Sequence, residues 1–111
     1  PLAKGLLTNT YRPGHVFPAA DERSDFPRFQ GALFDRYIAV AGQLAAIAAD
    51  KGLSLVQMAI AWILRREEVS CVLVGAKNQA QLQEHLGAAD VSWSAGELAT
   101  IDAMLRAAPA G

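Results

Sequence analysis

From residue 34 onward, apolar residues recur at the three-to-four spacing that buries one face of a helix. Tyr37, Val40, Ala41, Leu44, Ile47 and Ala48 form one stripe, with Arg36, Gln43 and Asp50 on the opposite side, which predicts a helix over 34–51. Gly52 suits the left-handed residue that ends it. Ser54 and Gln57 have the spacing of a capping box and open a second predicted helix over 54–66. Its expected buried face is Leu55, Met58, Ala59, Trp62 and Ile63, with Arg65 and Arg66 placed to complement the dipole at its C-terminal end.

The period then changes. Cys71, Val72, Leu73 and Val74 form a short apolar run with β-branched members, as in a buried strand. Gly75 interrupts it. Asn78 and Gln81 predict a helix start, and Leu82 and Leu86 predict one buried stripe before Gly87 stops the helix. Ser94 and Glu97 form another capping box ahead of Leu98, Ile101, Met104 and Leu105, while residues 107–111 carry no structure signal. Upstream, Asn9 to Gln30 holds Pro13, Pro18 and Pro27, and reads as a long loop that Phe17, Phe26 and Phe29 pin to the body. The predicted order is a long loop, then helix, helix, strand, helix, helix. A lone strand cannot satisfy its own ladder groups and requires neighbours.

Composition narrows the function classes. With 52% hydrophobic residues among 111, the chain can bury a core and is no disordered tail. Ten Lys and Arg against eleven Asp and Glu supply no basic field for nucleic acid. No apolar run approaches the roughly 20 residues of a membrane span, and no signal peptide pattern opens the chain. The single Cys71 cannot form an internal disulfide, so a cytoplasmic setting is expected, with the thiol inside the strand. His15 and His85 lack a third ligand at metal spacing, so no metal site is expected.

The candidate chemistry lies at the strand-to-helix turn. A helix start leaves unsatisfied backbone N–H groups and partial positive charge, and Lys77 adds a full charge. A phosphate would be stabilised there. Equally, Asn78 can be a plain cap and Lys77 merely solvated.

The stretch GAKNQAQLQEHL resembles the last βα unit of the aldo/keto reductases, in which Gly-x-(Lys/Ser)-x-x-x-Gln-x-x-Glu-Asn holds the adenosine phosphate end of NADP(H). The match falls on Gly75, Lys77, Gln81 and Glu84, with His85 standing where the family has Asn. PLAKGLLT, FPAADER, FQGALF and MAIAWILRREEVSCVLVGAK follow in the family's order, so the likeness spans nearly the whole chain and is greatest to bacterial stress- and inositol-cluster-type members.

The resemblance implies an α/β fold, the C-terminal part of a (β/α)8 TIM barrel, mostly helical on its own. Such a barrel takes about 250 residues, so the chain is expected to be a portion of a longer protein. The expected division is a post-strand segment and cofactor-covering loop over 1–33, then the helices and strand over 34–111. Pro1, Leu2, Ala3 and Lys4 would run along the cofactor pyrophosphate, and Arg23 of Asp-x-Arg would lie near the adenosine half. Lys4 or Arg12 would stand in for a cationic contact the family often places at Asn9-Thr10. The parent protein would reduce small carbonyl substrates with NADPH. The family's catalytic tyrosine, lysine, aspartate and histidine belong to the other half of the barrel, so no catalytic residue is expected here. The alternative is a non-catalytic helical module that self-associates.

Overall fold

The computed structural model describes residues 2–108. Four helices dominate: α1 (Gly31–Asp50), α2 (Leu55–Leu64), α3 (Gln79–Leu86) and α4 (Ala95–Ala107). Three single 3-10 turns, Ala3–Gly5, Glu22–Asp25 and Pro27–Phe29, punctuate the segment before α1.

The local signals act as their chemistry dictates. Ser54 Oγ accepts from the Gln57 amide at 3.1 Å while Gln57 Oε1 accepts from the Ser54 amide at 3.0 Å. The Ser94/Glu97 pair repeats this at α4, with 3.1 and 2.8 Å. Helix α1 ends in a Schellman motif: the Leu53 amide reaches Ala48 O at 2.8 Å and the Gly52 amide reaches Ala49 O at 3.0 Å. Gly52 has φ 76°, which a side chain would strain. Arg65 closes α2 by donating to Trp62 O at 2.6 Å while stacking 3.7 Å over the Trp62 ring.

Three apolar clusters hold the elements together. Ala41, Leu44 and Ala48 of α1 meet Leu55 and Met58 of α2 and Ile101 of α4. Lys51 ties α1 to α4 through Glu97 at 2.9 Å, over the Trp93 ring. The Ser94 amide, with Lys51 second, holds the Glu97 carboxyl below its ordinary pKa. A second cluster joins Leu6, Phe17 and Phe29 to Phe34 and Ile38. A third places Val56, Ile60 and Ala61 against Ala88. Helix α2 is therefore buried on two sides: Val56 and Ile60, absent from the predicted face, pack with the small Ala61 against Ala88, Val72 and Val74. Although α1 has the length and composition of a bilayer span, its stripe is committed to these clusters.

Four expectations need correction. The run Cys71–Val74 is extended but forms no strand among the described residues, because no second ladder is present to pair with it. Its alternation survives, with Val72 and Val74 half-buried against α2 and Leu73 84% exposed. Cys71 is consequently exposed, not buried. In α3 the predicted stripe is inverted: Leu82 and Leu86 face outward and His85 is the buried residue. Phe26 lies partly exposed, so Phe17 and Phe29 alone bury their rings to pin the loop. Boundaries also move, α1 starting three residues early and α4 extending to Ala107.

Candidate functional site

The first turn of the site is conformationally strained. Ala3, Lys4 and Gly5 all have positive φ, at 52°, 55° and 99°. For the two non-glycine residues this costs roughly 1–2 kcal/mol each, so the surroundings must hold them. Arg23 does so: its Nη1 donates to Lys4 O at 3.1 Å and to Tyr11 Oη at 2.9 Å. A side chain at Gly5 would come within 3.1 Å of the Tyr11 ring and 3.2 Å of Arg23 Nη1.

Arg23 is itself fixed. Its Nε and Nη2 form a fork on Asp21 at 3.0 and 2.7 Å, and its guanidinium stacks 4.3 Å over Phe17 and 5.2 Å over Tyr11. Asp21 also caps the turn by accepting from the Arg23 amide at 2.9 Å. The Arg23 side chain, then its amide, lowers the Asp21 pKa to about 2, and Asp21 in turn raises that of Arg23. A depressed carboxyl stabilises the fold above its unfolded value of 3.8 and loses that contribution as pH falls toward 2. The clasp thus persists at neutral and mildly acidic pH. Gly14 N donating to Asp35 Oδ1 at 2.8 Å anchors the same loop to α1.

The opposite wall is the start of α3. Asn78 Oδ1 accepts from the Gln81 amide at 2.9 Å, and Gln81 Oε1 accepts from the Lys77 amide at 2.6 Å. Gln81 thereby fixes the backbone before the cap, leaving the Lys77 side chain exposed. One turn on, His85 is buried and its Nδ1 has no hydrogen-bond partner among the described residues. Trp62 Nε1 on α2 is in the same state, and either buried group needs a water or another partner to satisfy it.

Between these walls lies an open cleft of about 890 Å3, a volume suited to a ligand of cofactor size. Leu2, Ala3, Lys4 and Arg23 line one side; Gly75, Lys77, Gln81, Glu84 and His85 line the other. These predicted contact residues therefore border one space, although the two groups are separated by the whole of α1 and α2 in sequence. Pro1 lies outside the described residues. Thr8, Thr10, Tyr11, Asp21 and Glu22 also face the cleft, and of these Thr8 and the Tyr11 hydroxyl have no sequence signal for it. The Asp21-Glu22-Arg23 triplet was the available signal, since Asp two before Arg permits the fork seen here. Arg12 lines a separate groove and donates to Asn9 O at 2.9 Å, so it does not substitute for a missing contact at the cleft. The described residues contain no cluster of metal-ligating side chains.

A helical segment with an unpaired extended run before its third helix, and a cleft at the turn between them, is what a portion of a (β/α)8 barrel leaves when seen alone. The sequence profile of the aldo/keto reductase family matches residues 1–106, and the chain belongs to that family. The glycerol dehydrogenase AKR11B4 of Gluconobacter oxydans superposes with a TM-score of 0.87 at 29% identity, over 96% of this chain and 32% of that one. The L-glyceraldehyde 3-phosphate reductase of Escherichia coli O157:H7 is 36% identical over 92% of this chain and 31% of its own length. The aldo-keto reductase yakc [NADP(+)] of Schizosaccharomyces pombe is 30% identical over 85% and 28%. The chain thus spans about 30% of the length of these relatives. The fold class read from the sequence, part of a (β/α)8 barrel, holds.

Proposed function

We propose that the chain forms the phosphate and adenosine half of the cofactor site in an NADP(H)-dependent aldo/keto reductase that reduces small aldehydes or ketones to alcohols. The carrying observation is the convergence of Lys4, Arg23, Lys77, Gln81, Glu84 and His85 on one cleft. Within this set Lys77 and the solvated Lys4 supply positive charge for a nucleotide's phosphates, while Arg23 holds the turn in shape. Lys77 would take the 2′-phosphate, the strained turn Ala3–Gly5 would approach the pyrophosphate, and His85 would supply a polar contact to adenine. When bound, the nicotinamide would supply the hydride; this chain's residues bind and orient its far end. Residues 1–33 serve as the post-strand segment and covering loop, and 34–111 as the scaffold. The family's catalytic tetrad would come from the other barrel half. A cytoplasmic location suits the exposed thiol of Cys71.

The exposed Leu73, Leu82 and Leu86 favour a second reading, self-association of a module without cofactor. One titration separates the two. Followed by its fluorescence, NADPH should bind the full-length protein saturably and more tightly than NADH. Absence of binding, with concentration-dependent association by sedimentation, would favour the second reading.

A further inference from the structure

The cleft is charge-balanced before any ligand arrives. Its walls carry Lys4, Arg23 and Lys77 against Asp21, Glu22 and Glu84. An anionic ligand must therefore take a cation from an internal partner or use one that is unengaged. The three cations differ in how firmly they are held. Arg23 holds four partners, the forked Asp21 carboxylate, Lys4 O, the Tyr11 hydroxyl and the Phe17 ring, so releasing it would dismantle the turn. Among the described residues, Lys77 has no ion-pair partner. Lys4 is intermediate: its Nζ lies 2.6 Å from Glu22 Oε1, but the two side chains are 41% and 71% exposed. A solvated pair of this kind contributes little and is easily exchanged.

Resting on the proposed nucleotide site, we propose that Glu22 is a stand-in anion that holds Lys4 in the empty cleft and yields it to the cofactor pyrophosphate on binding. The geometry favours exchange over simple addition. Lys4 has a left-handed backbone, and Arg23 grips its carbonyl, so the backbone stays in place while only the side chain changes partner. Glu22 opens the turn Glu22–Asp25, which is fixed by its cap Asp21 and by Arg23 on either side of Glu22. Moving Lys4 off Glu22, and off the Phe26 ring 5.4 Å from its Nζ, therefore leaves the Arg23 clasp intact and loosens the outer ties between the loop and the Ala3–Gly5 turn. Glu22 becomes a residue that sets cofactor affinity and release without needing to touch the cofactor.

The test uses the full-length protein at low ionic strength, with dissociation constants for NADPH and NADH measured on wild type, E22Q, K4M and the double variant. E22Q should tighten both nucleotides about three- to fivefold, the scale of one exposed pair, because both carry the same pyrophosphate. K4M should weaken both, and adding E22Q to K4M should change affinity less than about twofold, since the competitor then has nothing to release. Unchanged or weaker binding by E22Q, with normal wild-type binding, would overturn the exchange and leave the proposed function standing. Tightening that persists in the K4M background, or that is confined to NADPH, would also overturn it. Failure of wild type to bind either nucleotide would remove both.

Discussion

Lys77→Glu should weaken NADPH binding about 30- to 100-fold while leaving NADH within about threefold of wild type. The expected loss is roughly 2–3 kcal/mol, the scale of a charge-assisted contact replaced by repulsion. The fold should not confuse the result. Gln81 holds residue 77 through its amide, which the substitution keeps. An acidic residue just ahead of a helix start also suits the dipole. Parallel titrations of the two nucleotides on the full-length variant check this. Equal losses for both would mean that Lys77 does not meet the 2′-phosphate.

Phe34→Ala should destabilise the protein by about 3–5 kcal/mol. Phe34 is 1% exposed and packs edge-on to Phe17 at 5.7 Å and beside Phe29 at 6.4 Å. Phe17 in turn supports the Arg23 guanidinium, so the loss should spread from the core to the turn that frames the cleft. Phe26→Ala, at a residue 38% exposed, should cost less, about 1–2 kcal/mol, because less of its ring leaves water and no closed cavity remains. Urea unfolding of both variants gives the comparison. Similar midpoints for the two would contradict the assignment of Phe34 to the core.

Helix existence and caps were legible because they depend on near neighbours. Ser54 with Gln57 and Ser94 with Glu97 form the boxes their spacing predicts. What failed was direction. Leu82 and Leu86 have a buried spacing, yet α3 turns His85 inward, because which face is covered depends on the contact with α2, distant in sequence, and not on the helix's own period. The strand failed for the same reason: hydrophobic alternation specifies a face, whereas a ladder needs a second chain segment. At the cleft, the residues gathered were legible only through the family pattern, since nothing local links Lys4 to Gln81. The clasp of Tyr11, Asp21 and Arg23 was half visible. The Asp21–Arg23 pair follows from a spacing of two, but the Tyr11 hydroxyl and Lys4 carbonyl reach it only through the folded loop.

The central claim is most directly tested with 2′,5′-ADP, which carries the adenosine 2′-phosphate and none of the nicotinamide. Backbone amide NMR of the full-length protein during its titration should show saturable shifts concentrated at Ala76, Lys77, Gln79 and Gln81, with a change at the His85 ring. Saturation without movement of these resonances, or with shifts only on a remote face, would contradict the account.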